Sequence, residues 1–310
     1  MNKIAIIGAG RVGEAAAHLL AQKSLAKDVV LVDVRPGIAE GVALDIQECA
    51  PLFGFDVRLH GSTDLAAIVD SDIVVITAGK PRQPGMSRMG VLGENNKILL
   101  SIAEGVRQYA AGAIVIVVSN PVDILTYQLW KHTGFPKHRV IGQAGVLDAA
   151  RMASFVALET GYSVQDISTM VLGGHGDSMV PMTRYTCISG IPISHFLDDE
   201  TIEKIVKRTR EGGAEILALK QTSSAYDAPG AAIVEMVEAI HYDRKRLLPC
   251  VALLDGEYGH HDIAAGVPVV LGAKGLESVV ELDLEPAEVD ALNASLSRLR
   301  EDLKTLDKSS

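Results

Sequence analysis

The stretch KIAIIGAGRVGEAAAHLL, residues 3–20, decides the fold. Ile4, Ala5, Ile6 and Ile7 form a continuous apolar run, as in a strand buried on both faces. Gly8, Gly10 and Gly13 follow in G-x-G-x-x-G spacing, and a helical pattern, RVGEAAAHLLAQ, opens at Arg11. Strand, glycine turn and helix in that order make a pyrophosphate cradle. Gly8 permits the tight turn, Gly10 lets backbone approach the phosphates, and Gly13 lets helix pack on strand. The helix N-terminus then presents free N–H groups to the anion. Gly8, Ala9, Gly10, Arg11, Val12 and Gly13 are therefore the expected coenzyme contacts. About 20 residues further on such a turn requires an acid to accept hydrogen bonds from the adenine ribose, and Asp33 stands there at the end of DVVLVDV, residues 28–34. A carboxylate at that point repels a 2′-phosphate, which selects NAD over NADP. Arg35 could approach such a phosphate and so weakens this slightly; the preferred reading is a solvated surface arginine. A glycine turn without a ligand would not need the acid.

Working outward, further apolar β-branched runs lie at 72–79, 113–121 and 139–142. Most are separated by segments long enough for crossover helices. One of these, ENNKILLSIAEGVRQYAA, places Ile98, Ile102, Val106 and Tyr109 on one helical face. This is βαβ organisation. Beyond about residue 143 the pattern changes. A helix LDAARMASFVALETG ends at Gly161, and shorter strands are expected around 166–172, 250–254, 267–271 and 278–282. Gly-containing turns such as LDGEYG and GAKG suit hairpins, and helices are expected over 199–221, 229–242 and 286–306. The predicted fold class is α/β: a Rossmann-type doubly wound parallel sheet in an NAD-binding domain, residues 1–143, followed by an α+β substrate-binding and catalytic domain, residues 144–310. No Pro/Ser-rich linker divides them, so a broad interface is expected. There is no internal repeat.

The chain has 310 residues, 29 basic against 39 acidic, for a net charge of −10. That balance argues against nucleic acid as a partner, since it would need a clustered basic face. Cys49, Cys187 and Cys250 are odd in number and far apart, as expected of free thiols in a reducing compartment. No secretory signal pattern opens the sequence and no apolar run reaches the ~20 residues that span a bilayer. A cytoplasmic protein with no membrane partner is expected. The adjacent His260 and His261 point to opposite faces of a strand, and no metal site is expected.

Four other stretches carry chemistry. AGKPRQPGMSRMGVLGENN, residues 78–96, reads as a long lid-like loop with stiff prolines between glycines. It holds Arg82 and Arg88, whose planar forks suit carboxylates. VSNP, residues 118–121, ends a strand at the sheet's carboxyl edge, where Asn120 could reach a ligand or merely shape the turn before Pro121. Asp148 and Arg151 share one helical face, either as a surface ion pair or pointing into a cleft to serve two separate ligands. LGGHGDSMVP, residues 172–181, sets His175 among glycines, with Asp177 read as a turn residue. Such glycines leave room for unusual backbone angles or for something that must come close.

As a set and in this order, GAGRVG with Asp33, KPRQPGMSR, VSNP, GVLDAAR and GGHGDSMVP resemble the malate/lactate dehydrogenase family, and within it the lactate-dehydrogenase-like branch that acts on malate. The likeness spans essentially the whole chain. It implies hydride transfer between malate and NAD, giving oxaloacetate and NADH. It implies His175 as proton acceptor, with glycines leaving room for nicotinamide and substrate, and Asp148 as the acid that orients its ring. It implies Arg151 on the C1 carboxylate, Arg88 and Asn120 at the C2 oxygen, and coenzyme contacts extending to Asn95, Val118, Ser119 and Asn120. Lactate-specific members carry an uncharged glutamine where this chain has Arg82. A buried carboxylate needs a cation, so Arg82 favours the dicarboxylic acid; the six-residue interval to Arg88 sets the register against the neighbouring Gln83. A homodimer or homotetramer is implied. The alternatives are a dehydrogenase of lactate or another 2-hydroxy acid, an NAD-using glycosidase, which would need metal-binding Cys/His residues, and a non-catalytic NAD sensor, which would not need His175, Asp148 and three arginines together.

Overall fold

The structure, a computed structural model, describes residues 1–80 and 88–309. Arg82 lies outside the described residues, and Arg88 is described only by its backbone place at the start of a helix. The first half runs β1 (Lys3–Ile7), α1 (Arg11–Gln22), β2 (Asp28–Val32), α2 (Ile38–Glu48), α3 (Ala50–Phe53), β3 (Arg58–Ser62), β4 (Ile73–Ile76), α4 (Arg88–Tyr109), β5 (Ile114–Val117), α5 (Val122–Thr133) and β6 (Val140–Gly142). The second half runs α6 (Gly145–Thr160), β7 (Ile167–Ser168), β8 (Val171–Gly173), β9 (Met179–Pro181), β10 (Cys187–Ile188), β11 (Ile191–Pro192), α7 (Asp199–Lys220), α8 (Asp227–His241), β12 (Arg246–Asp255), β13 (His261–Gly272), β14 (Gly275–Val279) and α9 (Pro286–Ser309).

Strands β1 to β6 are parallel in the order β3-β2-β1-β4-β5-β6. Chain order reverses between β1 and β4, with Ile7 paired to Val32 on one side and Ile76 on the other. Such a switch point opens a crevice at the carboxyl ends of the strands, which is where open α/β sheets bind ligands. IVVI in β4 and IVIV in β5 are buried on both faces, as expected of central strands in a parallel sheet. Helix α1 turns Gly13, Ala16, Ala17, Leu20 and Ala21 inward, a stripe of mostly small side chains that lets it lie close on the sheet. Ile4, Ile6, Leu20 and Leu31 are fully buried; truncating any of them to alanine costs about 2–5 kcal/mol.

The sequence suggests a parallel sheet followed by antiparallel strands, and the structure joins the two. Gly142 of β6 pairs antiparallel with Val251 of β12, and the sheet continues through β13, β8 and β9, with β14 on β13. A Cβ on Gly142 would sit 2.6 Å from both Thr126 Oγ1 and Val251 Cβ, so only glycine fits this seam. Two expectations are corrected in detail. The run 166–172 divides into β7 and β8, because β7 leaves the main sheet to pair with β10. The loop expected over 78–96 is helical from Arg88, where Val91, Leu92, Asn95, Asn96 and Leu99 are buried and offset the glycines in its first turns. Strand β3, RLHGS, was not anticipated; it lies at the sheet edge with one fully buried position, so its apolar signal is weak.

Candidate active site

The crevice is held open by side chains that cross-link the strand ends. Thr77 Oγ1 donates to Gly8 O at 2.8 Å, and Ser119 Oγ donates to Ala78 O at 2.6 Å. Asn95 accepts Lys80 N–H on Oδ1 at 2.8 Å and donates through Nδ2 to Asn120 O at 2.8 Å and Lys80 O at 3.2 Å. Val118 N–H donates to Ile76 O at 2.9 Å. Of the expected contacts here, Ser119 and Asn95 thus have side chains bonded to backbone, shaping the crevice wall, while Asn120 has an exposed side chain at the edge.

The glycine turn divides its work as its spacing requires. Gly8 has φ +108° and a Cβ there would lie 2.6 Å from Ala78 N, so geometry and crowding both demand glycine. A Cβ on Gly13 would overlap the Gly8 carbonyl oxygen. Around Gly10, by contrast, a Cβ would meet nothing within 4 Å, and as N-cap of α1 it gives the helix no side-chain cap. The open side of Gly10, the uncapped first turn and the acid beside them fit the pyrophosphate and ribose of NAD. A prediction follows from the contrast: Gly10→Ala keeps a Tm within about 4 °C of the parent, since an N-cap change costs about 1 kcal/mol or less, yet weakens NADH binding about 10-fold or more. Gly13→Ala lowers Tm outright. Thermal melts and NADH fluorescence titration check both.

Asp33 is buried and accepts Ala9 N–H on Oδ2 at 3.0 Å. Arg35 is an exposed surface arginine as expected, and the structure adds a partner. Its guanidinium grips Asp33 with both prongs, Nε to Oδ1 at 2.9 Å and Nη2 to Oδ2 at 3.0 Å, and its backbone N–H adds a third bond. The Arg35 hydrogen bond, against an opposing effect of burial, holds the Asp33 carboxyl below the usual carboxylate range, so it is ionised and accepting at neutral pH.

In the second half, α6 carries Asp148 and Arg151 one turn apart, and the loop between β8 and β9 carries His175. Asp148 is 1 % exposed and divides its oxygens: Oδ2 meets His175 Nδ1 at 2.8 Å, and Oδ1 accepts Arg151 Nη1 at 3.1 Å. Of the two expected readings the ion pair is present, but buried rather than at the surface. An ionised Asp148 bonded to Nδ1 places the ring hydrogen on that nitrogen, leaving Nε2 with a lone pair. Burial opposes charge on His175 most strongly, but the charge and hydrogen bond of Asp148 and the charge of Asp123 together outweigh it, and the imidazole is held above its ordinary pKa.

The structure shows both the unusual backbone angles and the close approach expected of the glycines around His175. Gly173 has φ +79°, and a Cβ on it would lie 2.7 Å from Ser295 Oγ; a Cβ on Gly174 would lie 2.8 Å from Ser178 Oγ and 3.3 Å from Leu299. Ser295 Oγ also accepts Gly174 N–H at 2.9 Å. Helix α9 presses on this loop, so two of the glycines are needed for close approach to protein. Gly176, at φ +89° with open space around it, is needed for its backbone angle.

Four residues bearing on the site carry no signal in the sequence reading. Asp123, Thr209, Gly212 and Ser295 come from three different helices, and nothing in their local sequence shows whom they meet. Thr209 O and Gly212 of α7 flank Arg151: Nη1 reaches Thr209 O at 3.5 Å, and a Cβ on Gly212 would overlap Arg151 Cδ and lie 2.7 Å from Nε. Gly212→Ala therefore forces Arg151 off its line while α7 gains a better helix former. The expected result is a kcat/KM for the oxo acid lower by about 10-fold or more, since a 1 Å misplacement of a positioning group can cost ~100-fold, with unchanged NADH affinity in steady-state and binding assays.

Known proteins share this fold and sequence. Residues 2–142 match the lactate/malate dehydrogenase NAD-binding domain, and residues 145–309 match the lactate/malate dehydrogenase α/β C-terminal domain. A malate dehydrogenase of Thioalkalivibrio sulfidiphilus is 63 % identical over 99 % of this chain and 100 % of its own. The solved malate dehydrogenase of Salinibacter ruber superposes with a TM-score of 0.94 at 44 % identity, covering 99 % of this chain and 98 % of that one. A lactate dehydrogenase of Cryptosporidium parvum, solved with lactic acid and NAD, superposes with a TM-score of 0.95 at 40 % identity over 99 % and 98 %. Fold alone thus accommodates either acid. With a parallel sheet that reverses order at a glycine cradle, and family models matched over both halves, the chain belongs to the lactate/malate dehydrogenase family.

Proposed function

We propose that the chain catalyses the reversible, NAD-dependent oxidation of malate to oxaloacetate, with the coenzyme on residues 1–143 and the proton chemistry on residues 144–310. The observation that carries the reading is the His175 Nδ1 to Asp148 Oδ2 contact at 2.8 Å, which leaves Nε2 basic at the crevice. NAD, when bound, supplies the hydride acceptor. His175 Nε2 takes the hydroxyl proton as the C2–H bond breaks with its electron pair leaving as hydride, and C2 becomes a carbonyl. Asp148 keeps the tautomer and stabilises the imidazolium that results, the logic of a buried acid behind a catalytic histidine. Arg151 binds the C1 carboxylate with the donors that Asp148 leaves free. Arg88 and Asn120 polarise the C2 oxygen, and Arg82 meets the second carboxylate.

The lactate reading is kept alive by the Cryptosporidium parvum neighbour, and one experiment separates the two. Initial rates of NADH oxidation are measured with oxaloacetate and with pyruvate. A kcat/KM favouring oxaloacetate is expected; a preference for pyruvate overturns the malate reading. Among the described residues no helix is long and apolar enough to cross a membrane, which is consistent with work in the cytoplasm. Assembly as a homodimer or homotetramer is part of the proposal. Its support is the exposure of Leu44, Leu52 and Phe53 along α2 and α3, apolar surface that a second copy would cover. Sedimentation at micromolar concentration should show a mass of at least twice the monomer's.

A further inference from the structure

His175 is anchored twice. Its ring is held by Asp148, and its backbone N–H donates to Asp123 Oδ2 at 3.0 Å. Asp123 is the second residue of α5 and is 3 % exposed. Its Oδ1 has no hydrogen-bond partner among the described residues. A buried carboxylate with one oxygen unsatisfied is costly, and a backbone hydrogen bond to the other oxygen does not fully offset it. An asparagine could accept the same backbone N–H without a charge. The acid makes physical sense if something beside it gains from that charge.

The beneficiary is the imidazole. The titratable groups facing His175 are Asp148 and Arg151 from α6 and Asp123 from α5, while α9 offers the neutral Ser295 to the neighbouring Gly174. With His175 protonated, these four groups hold two positive and two negative charges. With His175 neutral, they carry a net negative charge in a buried site. The set is thus balanced in the state reached when the histidine holds the substrate's proton. Asp148 alone could not do this, because its second oxygen is already bonded to Arg151.

Resting on the reading of His175 as the proton acceptor, we propose that Asp123 is a second positioning residue for the proton transfer. Its carboxylate pins the His175 main chain, so that ring and backbone are both fixed, and its charge favours the imidazolium. In keeping with this geometry, burial pushes the Asp123 carboxyl up to about 6 while the bond from His175 N–H and the His175 charge pull it back. Asp123 is in turn one of the charges that raise His175.

The test separates charge from anchoring. The full-length enzyme is compared with Asp123→Asn, which keeps an acceptor for the backbone N–H, and with Asp123→Leu, which keeps the bulk and loses both roles. Ring titration of His175 is followed by NMR, the resonance being assigned by its loss in His175→Ala. In Asp123→Asn the midpoint should fall by about one pH unit, and the pH profile of kcat/KM should move with it while peak kcat stays within about 3-fold. In Asp123→Leu peak kcat should fall about 10-fold or more, with NADH affinity within about 2-fold. An unmoved ring titration in Asp123→Asn, or a parental kcat in Asp123→Leu, overturns the proposal. If the leucine variant does not fold, the asparagine titration decides alone. Because that titration is independent of turnover, a His175→Ala enzyme that still works would refute the catalytic reading of His175 without touching this measurement.

Discussion

Asp148→Asn should lower kcat/KM for oxaloacetate by about 100- to 10,000-fold, the range for losing a correctly poised general acid–base. The substitution removes almost no volume, so packing is not the cause. It removes the charge that fixes the proton on Nδ1, and an amide can equally donate to that nitrogen, which turns the ring to the tautomer with its hydrogen on Nε2. It also strips the charge from the 3.1 Å bond to Arg151, leaving a neutral amide oxygen as the acceptor. The pH dependence should shift with the loss. His175 is held above its ordinary pKa by Asp148 and Asp123 against the effect of burial. Oxaloacetate reduction needs the imidazolium, so its rate falls as pH rises through that raised pKa; malate oxidation needs the neutral ring, so its rate rises through it. In Asp148→Asn the pKa drops, and both limbs move to lower pH. The same shift has a stability sign. The raised folded-state pKa stabilises the protein below the unfolded histidine value, and that contribution is lost as pH climbs through the folded value. Profiles measured in both directions check this; a residual rate within 10-fold of the parent, with limbs unmoved, excludes Asp148 as the orienting acid.

How far the sequence reaches can be argued from individual residues. The β1–α1 cradle is legible because each of its demands is local: a turn, a close strand and a helix start all lie within residues 3–20. The separate tasks of Gly8, Gly10 and Gly13 follow from their spacing; the structure adds which atoms would crowd a side chain at Gly8 and Gly13. His175 and Asp148 are legible as candidates, but the sharing of Asp148 between His175 and Arg151 is not, since a helical face says which residues are neighbours and not what lies opposite. Asp123 is the clearest case of a hidden role. In sequence it is an acid in the first turn of a helix, an ordinary place for one because of the helix dipole. Only the β8–β9 loop, 52 residues away, turns it into a partner of His175. Gly212 and Ser295 are hidden for the same reason. Edge strand β3 is missed because RLHGS has one buried face at best, and the joining of the two halves through Gly142 and Val251 is missed because a single bridged pair leaves no periodicity.

Arg82→Gln should cost the enzyme its preference for a diacid more than its ability to transfer hydride. Arg82 lies outside the described residues, and the prediction rests on charge. Oxaloacetate and pyruvate share the C1 carboxylate and the C2 oxygen, for which Arg151, His175 and Asn120 remain. They differ at C3, where one bears a carboxylate and the other a hydrogen. Removing one partner of a desolvated ion pair costs about 3–5 kcal/mol, so kcat/KM for oxaloacetate should fall about 150- to 5,000-fold. With pyruvate no charge is left unpaired in the variant, and kcat/KM should hold or rise. NADH affinity should not change, because the expected coenzyme contacts at Gly8–Gly13 and Asp33 do not include Arg82. The informative quantity is the ratio of the two specificity constants, since a general disturbance of the 78–96 segment would lower both and leave the ratio alone. If the variant keeps its oxaloacetate preference, the distal carboxylate is bound by some other group, and the choice between the four-carbon and three-carbon acids has to be sought elsewhere in the crevice.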